Sequence, residues 1–139
     1  MDTATARTLY ITAADHDRLQ RLIETARHGR QAEYIEDLEG ELTRARVVSA
    51  TEIPHDVVTM HSRVLLVDLD TGERIECTLV FPHQADTRQH KISVLAPIGT
   101  AMLGYRDGDT FTWQVPRGTR RLQVKRVLYQ PEAAGERTP

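Results

Sequence analysis

A single change of hydrophobic period organises this chain. Ile35, Leu38, Leu42 and Ala45 fall at offsets 0, 3, 7 and 10, the a/d spacing of a helix that packs along one narrow seam. After Val47 that spacing is lost. The apolar residues then group as VVTM (57–60), RVLLVDL (63–69) and RIECTLVF (74–81). In the last of these Ile75, Cys77 and Leu79 alternate with Arg74, Glu76 and Thr78, the period of a half-buried strand. A chain with this switch is neither one bundle nor one barrel. It is predicted to be α+β, with helices first and a sheet after them.

The helical part has two arms. Thr12 followed by Asp15 is a variant of the capping box, so a first helix is expected from about Ala13. Its apolar face is Leu19, Leu22, Ile23 and Ala26, and Gly29 is placed to end it. The second helix is expected from about Gln31 to Arg46, its outer positions filled by Glu33, Glu36, Asp37, Glu39, Glu41 and Arg44. Residues 26–37, ARHGRQAEYIED, form the turn between them. An antiparallel hairpin over residues 9–48 follows, a short coiled coil about 24 Å long and wet on most sides. Its tip is His28, Gly29 and Arg30, with Glu33 beside them. The chain is expected to be a monomer, or a dimer if two seams pair as a four-helix unit.

The second part is expected over residues 50–130. The DTG turn after RVLLVDL supports an antiparallel hairpin of strands. ISVL reads as a short buried strand, and Pro97 suits the first turn of a helix carrying Ile98, Ala101, Met102 and Leu103. DTFTWQV and RRLQVKRVLY close the sheet, with Leu122 and Val124 inward. Roughly five strands and one short helix are expected, as an antiparallel sheet half-wrapped around the helix. Residues 1–8 and 131–139 lack periodicity and are expected to be disordered.

The chain offers little to catalysis. The six histidines have no HExxH or HxH spacing, and GxxxxGK[ST] and GxGxxG are absent. Neither a metal site, nor a cofactor, nor a catalytic residue is expected. Cys77 reads as a small buried thiol on its strand's apolar face. Asp68 and Asp70 read as solvated acids at a hairpin end. A net charge of −2 argues against tight non-specific nucleic-acid binding by the whole chain. The cluster Arg117, Arg120, Arg121, Lys125 and Arg126 is either a solvated strand face or a weak contact for nucleic acid or an acidic partner. No apolar run reaches the ~20 residues that cross a bilayer, so no membrane contact is expected, and the lone cysteine suits a reducing cytoplasm.

The stretch KISVLAPIGTAMLGYRDGDTFTWQVPRGTRRLQVKRV resembles the C-terminal domain of the GreA/GreB transcript cleavage factors. The matching residues are Ile92, Ser93, Pro97, Ile98, Leu103, Gly104, Gly108, Asp109 and Gly118. RARVV, IP-DVVTM-SRV (with His55 and His61 at the two gaps) and DLDTGE resemble one branch of that family, the Rnk proteins, regulators of nucleoside diphosphate kinase. The resemblance spans about residues 9–128. It implies an FKBP-like C-terminal domain that docks at the rim of the RNA polymerase secondary channel, with the hairpin at or in the channel. Ser93, Leu95, Ala96, Pro97 and Ile98 match the polymerase-contacting loop, with Leu95 where some Gre proteins carry an acid.

In Gre factors the hairpin tip reads like A-R-E-H-G-D-L-K-E-N-A-E-Y, and its acids hold a second Mg²⁺ that activates water for RNA cleavage. Here the same place reads ARHGRQAEY. The acids have given way to Arg30, and the hairpin is about half the family's length. The resemblance therefore implies a non-enzymatic, polymerase-binding transcription regulator that competes with Gre factors and does not stimulate cleavage. A nucleic-acid-binding module on the basic strand is the alternative. A prolyl isomerase is the third reading, disfavoured by a 5% aromatic content with the single Trp113.

Overall fold

The computed structural model describes residues 9–26, 32–115 and 118–135. Strand β1 (Tyr10–Ile11) leads into helix α1 (Ala13–Ala26), and helix α2 (Ala32–Arg44) returns to strand β2 (Arg46–Val47). The Asp15 backbone N–H donates to Thr12 Oγ1 at 3.2 Å, so the expected cap starts α1. The two helices run antiparallel, since His16 near the start of α1 lies 3.3 Å from the Leu42 carbonyl near the end of α2. Leu19 and Ile23 from α1 and Ile35, Leu38 and Leu42 from α2 are buried between them. At 14 residues α1 is about 21 Å long.

The base of the hairpin carries a feature too short for any periodicity to reveal. Strands β1 and β2 pair in parallel, with Arg46 N–H donating to Leu9 O at 2.8 Å and Val48 N–H to Ile11 O at 2.9 Å. This closes the hairpin where the chain leaves for the sheet.

The sheet has five strands in the order β5-β4-β3-β7-β6: β3 (Arg63–Asp68), β4 (Arg74–Val80), β5 (Lys91–Ser93), β6 (Thr110–Val115) and β7 (Gly118–Tyr129). Strands β3 and β4 form the expected antiparallel hairpin, with Gly72 supplying the left-handed turn at φ 80°. Strand β5, however, runs parallel to β4. The connection over residues 82–90 contains two 3₁₀ turns, Pro82–Gln84 and Thr87–Gln89. They carry the chain back before it pairs, so the sheet is mixed. Residues 57–60 were expected as a strand and are not one. Val57, Val58, Thr59 and Met60 are all buried, leaving no solvent face to alternate with. The segment instead joins residues 104–105 through Val58 N–H to Tyr105 O (2.9 Å) and Gly104 N–H to Val58 O (3.0 Å).

Helix α3 (Pro97–Met102) covers the inner face of the sheet. Val64, Leu66, Cys77, Leu79, Phe111, Leu122 and Val124 meet Val94, Leu95, Ile98, Met102 and Leu103 there. The same apolar cluster continues into Leu9, Ile11 and the hairpin seam, and α2 lies against α3. The Arg18 guanidinium sits over the Phe81 ring at 4.5 Å, adding a cation–π contact between hairpin and sheet. The hairpin is thus built onto the core and is less isolated than a free rod. Its described seam residues, Leu19, Ile23, Ile35, Leu38 and Leu42, are buried within one chain.

Residues 131–135, expected to be disordered, form turns after β7, and Glu132 is buried against Thr59. Thr59 Oγ1 donates to Glu132 Oε1 at 2.7 Å, and Gln130 Nε2 donates to Pro54 O (2.8 Å) and Val57 O (2.7 Å). Side chain to backbone anchoring of this kind has no sequence period, so it is invisible to patterning. Residues 1–8 and 136–139 lie outside the described residues. No helix among the described residues is long and apolar enough to cross a membrane.

Candidate partner-binding site

The segment from Ser93 to Ile98 turns the chain from β5 into α3. Ser93 Oγ accepts the Leu95 N–H at 3.0 Å, and Ser93 O accepts the Ala96 N–H at 3.0 Å, which bends the backbone sharply. Pro97 then opens the helix with a nitrogen that needs no partner. Thr100 Oγ1 donates to Val94 O at 2.5 Å and straps the helix back onto the turn. Gly99 makes this approach possible, because a Cβ there would stand 2.1 Å from the Ser93 carbonyl oxygen. The result is a rigid turn over a buried floor.

The five expected loop residues divide by burial. Leu95 is 2% exposed and Ile98 8% exposed, and both belong to the core. Ser93 and Ala96 are half-buried and offer the loop's described side chains to solvent. The Pro97 side chain lies outside the described set. Leu95 therefore anchors the loop from beneath, and a leucine in place of an acid has a packing reason there.

His28, Gly29 and Arg30 of the hairpin tip lie outside the described residues. Glu33 falls in the first turn of α2, with its side chain outside them too. Among the described residues no group of three or more His, Cys, Asp or Glu is arranged to hold a metal ion.

The basic strand is more heterogeneous than its sequence. Arg120 faces the core side and grips Asp68, which is 1% exposed, through Nε at 2.7 Å and through Nη2; Nη2 also reaches Glu73 at 3.4 Å. Asp68 is thus not the solvated acid expected. Positions 64, 66 and 68 all point inward from β3, a period-2 signal that could have placed it. The Arg120 guanidinium, aided by the Asp70 N–H, holds the Asp68 carboxyl below its ordinary range, and the Asp68 contact raises Arg120 in turn. Arg121 pairs with Asp70 at 2.8 Å on the exposed side. Lys125 and Arg126 are exposed, and Arg117 lies outside the described residues. The five cations therefore do not make one free face. Burial pushes the Cys77 thiol up to about 12, which leaves it inert at neutral pH.

A helical hairpin joined at its base to a five-stranded sheet, with one proline-led helix on the inner face, is an architecture shared with the GreA/GreB transcription elongation factors. Residues 53–129 match the family profile described as transcription elongation factor, GreA/GreB, C-term, and residues 7–48 match Rnk N-terminus. The chain is 41% identical over 130 residues to the Regulator of nucleoside diphosphate kinase of Escherichia coli strain K12, covering 93% of this chain and 95% of that one. It is 36% identical over 95 residues to transcription elongation factor GreA of Orientia tsutsugamushi strain Boryong, 68% of this chain and 60% of that protein. Among solved structures, the prokaryotic transcription elongation factor GreA/GreB from Nitrosomonas europaea aligns with a TM-score of 0.76 at 41% identity, over 87% of this chain and 99% of that one. The chain belongs to the GreA/GreB transcription elongation factor family, in its Rnk branch.

Proposed function

We propose that this protein is a non-enzymatic regulator that binds RNA polymerase at the rim of the secondary channel. The contact is the turn from Ser93 to Pro97, with Ser93 and Ala96 facing the polymerase and Leu95 and Ile98 holding the turn from below. The observation that carries this reading is the rigidity of that turn: it is tied by Ser93, Thr100 and the Gly99 approach and so presents a preformed surface.

The hairpin lies at the channel mouth, where its bulk competes with Gre-type factors. Helices of 14 and 13 residues reach about 21 Å at most, and the tip sequence carries Arg30 in place of the acids that would hold a catalytic Mg²⁺. Glu33 alone gives one carboxylate where a metal needs several ligands. Transcript cleavage is therefore not stimulated. Control of nucleoside diphosphate kinase, the property in the Escherichia coli relative's name, acts in this reading through transcription. A backtracked elongation complex tests both halves: this protein is expected to leave its RNA intact and to slow cleavage by an added Gre factor. Cleavage by this protein alone would overturn the proposal and make Glu33 the residue to mutate.

A further inference from the structure

The outer face of the sheet, opposite α3, carries a second surface. Strand β3 turns Val64, Leu66 and Asp68 inward and Arg63, Leu65 and Val67 outward. Leu65 and Val67 are half-buried, and Leu69 follows the end of the strand at 39% exposure. Strict alternation along β7 would put Arg126 inward with Leu122 and Val124. Two register shifts prevent this. Leu65 pairs with Arg126 while Leu66 pairs with Val124, so Lys125 is an extra residue; Arg63 pairs with Tyr129 while Val64 pairs with Val127, so Leu128 is another. In such bulges two residues oppose one and share its side of the sheet. Lys125 and Arg126 thus join Leu65 on the outer face, and Leu128 and Tyr129 join Arg63. Lys125, Arg126 and Leu128 are all exposed.

The face therefore has an aliphatic stripe along β3, with Lys125 and Arg126 beside Leu65 on β7 and, on the β4 side, Arg74 opposite Val67 and Glu76 opposite Leu65. Arg121 also stands on β7. The acids nearby are Glu76, 3.0 Å from Arg63, and Asp70, 2.8 Å from Arg121. Among the described residues Arg74, Lys125 and Arg126 form no ion pair. Neighbouring strands are about 4.8 Å apart, so the flanks lie roughly 10 Å from each other. That is the width of an α-helix with its side chains.

We propose that this face docks an acidic amphipathic α-helix of a protein partner, laid along β3 with its apolar stripe on Leu65 and Val67 and its carboxylates on Arg74, Lys125 and Arg126. The stripe decides between partner classes. Phosphates gain nothing from leucine and valine, and unstacked bases need successive aromatic platforms, of which Tyr129 is the one on this face among the described residues. The surface is independent of the turn from Ser93 to Pro97, so it stands or falls separately from the polymerase reading.

The test titrates the full chain, followed by backbone NMR shifts, with three probes: a synthetic 18-residue acidic amphipathic helix, a scrambled peptide of equal charge, and a single-stranded oligonucleotide of equal charge. The amphipathic peptide is expected to bind most tightly, with shifts confined to β3, β4 and β7. Arg126→Glu and Leu65→Ser are each expected to weaken it at least about tenfold, while Ser93→Ala does not; the amide spectrum of each variant reports whether it folds. Equal binding of the scrambled peptide, tighter binding of the oligonucleotide, no binding, or shifts located elsewhere would each overturn the proposal.

Discussion

Arg120 on β7 closes over the buried carboxylate of Asp68 at the end of β3, with Nε 2.7 Å from Oδ2. The pair locks the longest strand to the centre of the sheet. Because the folded pKa of Asp68 lies below its ordinary value, the pair stabilises the fold above about pH 4, the unfolded carboxylate range. That contribution is lost as pH falls through the lower folded value. Asp68→Asn is expected to melt below the wild type at pH 7, with the gap closing as pH falls below the ordinary carboxylate value of about 4. A gap that stays constant over that range would show that the charge on Asp68 is not what stabilises the fold.

Gly99 sets how close α3 comes to the turn before it. Gly99→Ala drives a methyl group into the Ser93 carbonyl, and backbone cannot move aside as a flexible side chain would. The expected loss is about 1–3 kcal/mol, read from the urea midpoint, and the variant should bind polymerase more weakly because the turn shifts. Unchanged stability would mean that the helix rides higher than described.

The C-terminal turns should matter to stability. Truncation after Tyr129 removes the donor to Pro54 O and Val57 O and the partner of Thr59. Leaving buried acceptors unpaired is expected to lower stability by about 1–3 kcal/mol, measurable by chemical denaturation. A truncated chain as stable as the full one would return residues 130–135 to the role of an inert tail.

Hairpin and sheet share one apolar cluster, so they should unfold together. Leu38, fully buried in α2, is the probe. Leu38→Ala is expected to cost about 2–5 kcal/mol and to shift the unfolding transition reported by the fluorescence of Trp113, which lies in β6. If the fluorescence transition stays put while helical signal is lost earlier, the hairpin is an independent rod.

Much of this architecture was legible in the sequence because burial on one face leaves a period. The seam of α2, the β3–β4 hairpin, the proline at the start of α3 and the Thr12 cap all lie where pattern or turn chemistry places them. What escaped has no period. The β1–β2 pair is two residues long on each side. Residues 57–60 are buried on every side, so their apolar run mimics a strand. The parallel course of β5 is set by a connection whose 3₁₀ turns leave no alternation. Lys125 and Leu128 are bulged, which breaks the alternation along β7 and reverses the side on which Arg126 stands. For the turn from Ser93 to Ile98, the sequence could not divide the residues by burial; that of Leu95 and Ile98 comes from the inner face of the sheet, which is distant in sequence.

Titration of core RNA polymerase with the full chain, with and without excess Gre factor, is the most direct measurement. Saturable binding is expected, displaced by the Gre factor and weakened by substitution at Ala96 with a bulky charged residue. No binding, or binding that Gre factor leaves untouched, would contradict the assignment of this protein to the secondary-channel rim.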